Sequence, residues 1–348
     1  MEIHVYDRSL RRLGHIENHT SLQWHRKYYE CGTFELHCPV TAENLRLLKP
    51  GNVIAKGDNK LEAAVIRGDQ TEEESTLVNE ITRNGKFLPV YLGDRLTGPL
   101  FNYSGTVEDA MRFMLGRMAA VPLLQLAEGT GDKTKIQFQA TYKNVLEYLT
   151  KLARYAEIGF RVVPDFKKKT MTFETYKGID RTQAQGKNPR VIFSESYDNL
   201  NQAKHNYSDE SMKTKVIVGG AGEGLNRVYV TVGGGSGFDL REVFLDAKDI
   251  NKDELTEAAY LAALRTRGQE YLNENKVFEN FEAEAEADVN FIYQKDYDLG
   301  DVVTVKKKKW GTSQNLRITE LCEVYEYGGM YVVPTFGDAL PTAIKWDD

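Results

Sequence analysis

Apolar and polar residues alternate along much of this chain. Thr33-Phe34-Glu35-Leu36-His37-Cys38 places Phe34, Leu36 and Cys38 on one face, and Pro39 ends the run. A longer alternation runs from Phe281 to Phe291. Phe281, Ala283, Ala285, Ala287, Val289 and Phe291 share one side, and Glu282, Glu284, Glu286 and Asp288 share the other. The Ala and Glu content favours helix by propensity, but a helix would scatter both groups around its circumference. A strand is therefore expected, with a packed face and an acidic stripe. Like charges along one face repel, so the stripe must be well hydrated. It forms either an outer surface or the wall of a water-filled channel.

Shorter runs fill in the rest. Val53-Ile54-Ala55 and Ala63–Ile66 flank the turn residues Lys56–Lys60 and predict a hairpin. Thr76–Ile81 predicts another strand. Short strands at close spacing point to a small antiparallel barrel or sandwich over 1–98. The period then becomes helical: Val107, Ala110, Met111, Met114, Leu115 and Met118 follow Thr106, with Asp109 completing a weak capping box. A second helix is predicted over Tyr142–Ala156, with Gly159 placed to end it. Strands at Phe160–Val163 and Thr170–Phe173 complete an α+β unit over 99–190. Strands resume at Val191–Phe193, Lys215–Val218 and Val228–Val232. A helix over Asp253–Asn273 then carries Leu261, Leu264, Gly268 and Tyr271 on one side. Strands at 281–291, 302–306, 315–327 and 330–336 end the chain. A second β region over 191–232 and 281–340 is thus interrupted by a helical insertion, 233–280, expected to pack with the α+β unit. No period of 20–50 residues argues for a solenoid or propeller.

Composition narrows the class. The 348 residues hold 45 Lys+Arg and 51 Asp+Glu, a net charge of −6, with 41% hydrophobic residues. That balance excludes a mainly disordered chain and opposes broad gripping of nucleic acid through its phosphates. No apolar run reaches the ~20 residues of a membrane helix, and the N-terminus lacks the apolar core of a signal peptide. Three cysteines, Cys31, Cys38 and Cys322, are too few for a disulfide framework.

The candidate chemistry is thin. Gly219, Gly220, Gly222 and Gly224 resemble a phosphate cradle, but Leu225 and Asn226 stand where a P-loop needs Lys and Ser/Thr, and a strand follows where a dinucleotide fold needs a helix. They are read as structural turn glycines. His15 and His19 lie four apart without the HExxH pattern, and Cys31 and Cys38 make no CxxC knuckle, so no metal, cofactor or catalytic residue is assigned. Asp296, Asp298 and Asp301 could pair as acid and base; a turn before Val302–Val305 is the simpler reading. Lys306–Lys309 with Trp310 reads as a solvated strand end.

Residue order brings in a family. Asn199-Leu200, Val216–Gly224 and Arg227-Val228, then Gly237–Ala247 and Asp296–Val303, with Tyr176–Thr182 and Val191–Ser194, resemble segments of the siphophage tail-hub (minor tail, tail-tip) proteins, relatives of myophage baseplate hubs. The resemblance covers nearly the whole chain. It implies two small antiparallel β-barrels, 1–98 and 191–232 with 281–340, carrying α/β accessory domains and assembling as a homotrimeric ring. It implies partners: the distal tail protein or tail-tube ring, the tape-measure protein, and tip, spike or receptor-binding proteins, with DNA passing transiently through the lumen. The expected location is the virion tail tip, after synthesis in the bacterial host cytoplasm. The expected role is structural, not enzymatic. Because the chain stops at Asp348, soon after its last strand, adsorption and cell-wall digestion are not expected of it. The rival readings are a cell-wall hydrolase built on Asp296, Asp298 and Asp301, and a carbohydrate-binding module using Trp24, Trp310 and Trp346.

Overall fold

The computed structural model describes residues 1–57, 61–74, 78–99, 101–197, 199–284 and 290–337. Strand makes up 43% and helix 20%, the β-rich α+β mixture expected. The expected hairpin forms: Val53–Lys56 pairs antiparallel with Ala64–Glu74, matching Val53 with Val65 and Ile54 with Ala64. Val53–Lys56 is buried along its whole length. Val53, Ala55, Ala63 and Val65 belong to one core, whereas Ile54, Ala64 and Ile66 belong to another. Coverage on both sides explains why these runs are continuously apolar instead of alternating.

The two β regions are not two closed barrels. Their strands join in one open sheet of 13 strands: 11 form a path from Asn201–Ser208 at one end to Arg12–Ile16 at the other, and Val302–Lys307 with Ile192–Ser194 branch from it at Thr312–Glu326. The junction is the long strand Thr312–Glu326. Its first half pairs with Val302–Lys307, and its second half with Ser21–Lys27, setting Cys322 opposite His25. A strand shared in this way carries the ladder from one region into the other instead of closing either. Each region still has its own core, one around Trp24, Leu36 and Phe34 and one around Phe193, Tyr297 and Phe336.

The α+β unit packs on the outer face of the first sheet. Thr106 caps the Val107–Arg117 helix, accepting from the Asp109 N–H at 3.2 Å and donating to its carboxylate at 2.7 Å. Val145–Ala156 buries Leu149 and Leu152 completely, each contributing about 1.5–3 kcal/mol. This helix ends at Glu157, in the left-handed region at φ +53°, and not at Gly159, which opens the strand Gly159–Asp165. Gly159 is needed there for another reason: a Cβ would come within 2.5 Å of the Tyr28 ring. Lys215–Gly219 and Tyr229–Gly233, expected in the second barrel, pair instead with each other and with Glu242–Asp246. The helix Glu257–Glu274, capped by Thr256, covers one face of that small sheet. The predicted strand over 281–291 is described as Phe278–Glu284. Asn290, at φ +63°, no longer has strand geometry.

Candidate functional site

The acidic stripe belongs to Phe278–Glu284, the second strand from one end of the path. Its neighbours are set by register: Glu282 lies opposite Lys204 on one side and Thr335 on the other, and Glu284 opposite Asn201. Phe281 is buried between His205 and Phe336, and Asn280, on the face that Glu282 shares, is buried as well, so both faces of the strand are covered at this level. Only the backbone of Glu282 and Glu284 is described, and Glu286 and Asp288 lie outside the described residues.

The three aspartates proposed as rival acid–base groups are tied to local backbone groups and to arginines, and Asp301 also accepts from the Asp298 N–H at 3.2 Å. Asp296 accepts from the Ile292 N–H at 2.8 Å. Asp301 accepts from Ile179 N–H and from Arg181 Nε, both at 2.7 Å. Asp298 meets Arg26 Nη1 at 2.5 Å. This is turn and strand-end chemistry rather than a convergent pair facing a substrate. The Trp24 ring is buried in the first core, which removes it as a carbohydrate platform. The Trp310 side chain and all of Trp346 lie outside the described residues.

Arg26 opens onto a feature that sequence reading missed, a buried ionic network across the joint between the two β regions. Its Nε donates to Glu62 at 2.6 Å, and its Nη1 also reaches the Tyr293 hydroxyl at 2.7 Å. Trp24 Nε1 donates to the other oxygen of Glu62 at 3.1 Å. The Tyr293 hydroxyl donates to Glu323 at 2.8 Å, and Glu323 also accepts from Lys56 and, at 2.6 Å, from the Tyr325 hydroxyl. Arg26 and Glu323 are 2% and 0% exposed, so these charges are worth their desolvation only while all partners are present. Burial disfavours the Arg26 charge, but Glu62, Tyr293, Asp298 and Glu323 outweigh it and hold its pKa well above the ordinary value. Burial likewise pushes Glu62 up, and Arg26 more than reverses this, leaving it below the usual carboxylate value. A signal was available: Leu22, Trp24 and Arg26 share the buried face of an alternating strand. An arginine on such a face needs buried acceptors.

The remaining candidates sit in structural settings. Burial pushes the Cys31 thiol up to about 12, and Cys38 and Cys322 up to about 11, the opposite of an activated nucleophile. His15 sits beside Glu2 and Glu17 on the surface, apart from His19, whose buried Nδ1 lacks a hydrogen-bond partner among the described residues. Lys307 pairs with Glu195 at 2.6 Å. Gly222 and Gly224 take φ of +96° and +52° between two paired strands. Gly220 is held by space: a Cβ would lie 2.1 Å from the Tyr260 hydroxyl, which accepts from the Ala221 N–H at 2.5 Å.

An open strand path with an α+β unit on one sheet and a small helix-covered sheet beside it is an arrangement found in phage tail proteins. The 43 kDa tail protein of prophage MuSo2 from Shewanella oneidensis superposes with a TM-score of 0.61 at 14% identity, covering 97% of this chain and 98% of that one. The tail protein from Neisseria meningitidis MC58 gives 0.59 at 12%, covering 97% and 96%. Prophage tail protein gp18 from Listeria monocytogenes EGD-e gives 0.55 at 12%, covering 96% and 94%. At these identities the likeness is one of fold. Membership comes from sequence: residues 2–338 match the Siphovirus ReqiPepy6 Gp37-like proteins, and the chain belongs to that family. No curated protein matches it in sequence.

Proposed function

We propose that three copies of this chain form a hub ring at the tail tip, joining the tail tube or distal tail protein to the tip proteins and gating DNA passage. The observation that carries this reading is coextension. Residues 2–338 match one siphovirus family, and 97% of the chain follows a tail-protein fold. Two sheet regions with separate cores would give a trimer six similar units, a match for a sixfold tube. Among the described residues Asn201–Ser208 and Arg12–Ile16 are the end strands of the path, and end strands of a sheet favour joining another chain.

In this reading the role is structural, with no catalytic turnover, and the protein resides in the virion after synthesis in the host cytoplasm. Tape-measure protein and then DNA pass through the lumen. Glu282, Glu284, Glu286 and Asp288 would line it. DNA carries about one charge per 1.7 Å of axis, so a basic wall would hold it, and an acidic, hydrated wall lets it slide. The test is replacement of Glu282, Glu284 and Glu286 by Lys in intact particles. Slowed ejection from fully assembled tails supports the reading, and normal ejection rejects the lumen assignment.

A further inference from the structure

A cavity of about 400 Å³ opens where the first sheet meets the α+β unit. Its walls are apolar at Val121, Met171 and Ile66, and three arginines reach its rim, from three separate stretches of chain. Arg8 follows the Ile3–Tyr6 strand, Arg67 lies on Ala64–Glu74, and Arg95 comes just after the short helix Val90–Gly93.

Their partners leave the cavity cationic. Asp94, the one carboxylate among the described residues of the lining, pairs with Arg67 at 2.6 Å. Arg95 spends its guanidinium on neutral carbonyls, those of Ala119 at 3.1 Å, Asp94 at 3.0 Å and Ala120 at 3.4 Å. Arg8 has no hydrogen-bond or ion-pair partner among the described residues. Three positive charges against one negative leave +2 around a small cavity, on a chain whose net charge is −6. The Tyr91 ring forms part of the wall beneath the Arg67 guanidinium, 5.6 Å from the ring centre. Its hydroxyl is buried without a partner among the described residues, an unmet donor within the field of Arg67 and Arg8.

Such a lining selects an anionic group on an apolar body. A guanidinium takes a carboxylate through two parallel hydrogen bonds, while Val121 and Met171 receive the neighbouring apolar atoms. An extended polyanion does not fit this description, because it needs a continuous basic groove and stacking faces. The volume sits at the small end of ligand sites. We propose that the cavity is a docking site for an acidic residue, flanked by apolar ones, on an adjoining protein of the tail. That the partner is a tail protein rests on the function proposed above. The charge of the cavity does not.

The test uses the full chain and fluorescent 12-residue peptides tiled across the other proteins of the same tail, with binding read by anisotropy. The expected result is a peptide with Asp or Glu in an apolar setting. Its binding should weaken by about tenfold or more in an Arg8→Gln, Arg67→Gln double variant, the scale of losing a charge-assisted hydrogen-bonded pair. Asp→Asn or Glu→Gln in the peptide should weaken it similarly, as should added salt. Both arginines are exposed, and an unchanged melting curve for the variant separates lost docking from lost folding. Peptides that bind the variant as tightly as the original chain overturn the proposal, as does the absence of any binding peptide. Benzoate filling the cavity more tightly than every peptide overturns it in favour of a free small anion. Counting copies of the chain in the tail keeps the two ideas separate: a ring without peptide binding rejects only this site, and a chain absent from the tail rejects the function.

Discussion

Replacing Arg26 by Met probes the joint between the two β regions. The side chain is 2% exposed and serves Glu62, Asp298 and Tyr293 at once. Met fills much of the same space and supplies no charge. Glu62, itself buried, then loses the guanidinium that lowers its pKa most, and keeps the Trp24 N–H among its partners. Asp298 is 39% exposed and can turn to water, so most of the loss falls on Glu62. Removing one member of a buried pair costs about 3–5 kcal/mol, and that loss is expected at pH 7.5. The pH dependence has a definite sign. In the original chain the folded pKa of Glu62 is depressed, so its contribution is present above the ordinary carboxylate range and is lost as pH falls through the folded value. In the variant that carboxyl is expected to protonate readily, and the deficit should shrink near pH 4.5. Adding Glu62→Gln to Arg26→Met should recover about 0.5–3 kcal/mol at pH 7.5, the range of coupling between groups in contact. Urea unfolding followed by tryptophan fluorescence measures all of this, with Trp24 inside the network as a reporter. A loss under about 1 kcal/mol, or a deficit equal at both pH values, would refute the reasoning.

Other residues make separate predictions. Glu108 is 2% exposed and accepts from Thr130, Gly131, Asp132 and Thr175 at 2.6–2.9 Å; Glu108→Ala should cost about 1–3 kcal/mol and speed hydrogen exchange at 130–132. Burial pushes Glu270 up to about 7, against the pull of Arg267 and Lys151. A raised carboxylate means the folded state holds the extra proton, so stability should fall between pH 4.5 and 7 by an amount on the order of 3 kcal/mol. Glu270→Gln should flatten that slope in pH-dependent thermal melts. Gly222→Val forces a β-branched residue to φ +96° with its Cβ 2.5 Å from the Asn226 carbonyl. It should cost at least ~1–3 kcal/mol by melting, while ATP should shift the melting point of the original chain by nothing measurable.

Much of the local structure was legible because it depends on neighbours in sequence. Alternation found Thr33–Pro39, helical spacing and Thr106 found Val107–Arg117, and turn residues found the Val53–Glu74 hairpin. Long-range pairing was not legible. Nothing local in Thr312–Glu326 says that its halves pair with strands almost 300 residues apart in sequence on one side. Lys215–Gly219 likewise gives no local sign that its parallel partner is Glu242–Asp246. The buried network was half visible, since Arg26 lies on an apolar face, but its partners come from four other stretches of chain. The cavity was invisible, because Arg8, Arg67 and Arg95 come together from three distant stretches of the first β region, and the α+β unit closes the cavity with Val121, Pro122 and Met171.

The central claim is best tested by a reconstruction of the intact tail tip at side-chain resolution. The account predicts three copies of this chain around the tail axis, with the strand through Glu282 and Glu284 turned toward the lumen. One copy, six equivalent copies, or carboxylates pointing away from the axis would contradict it.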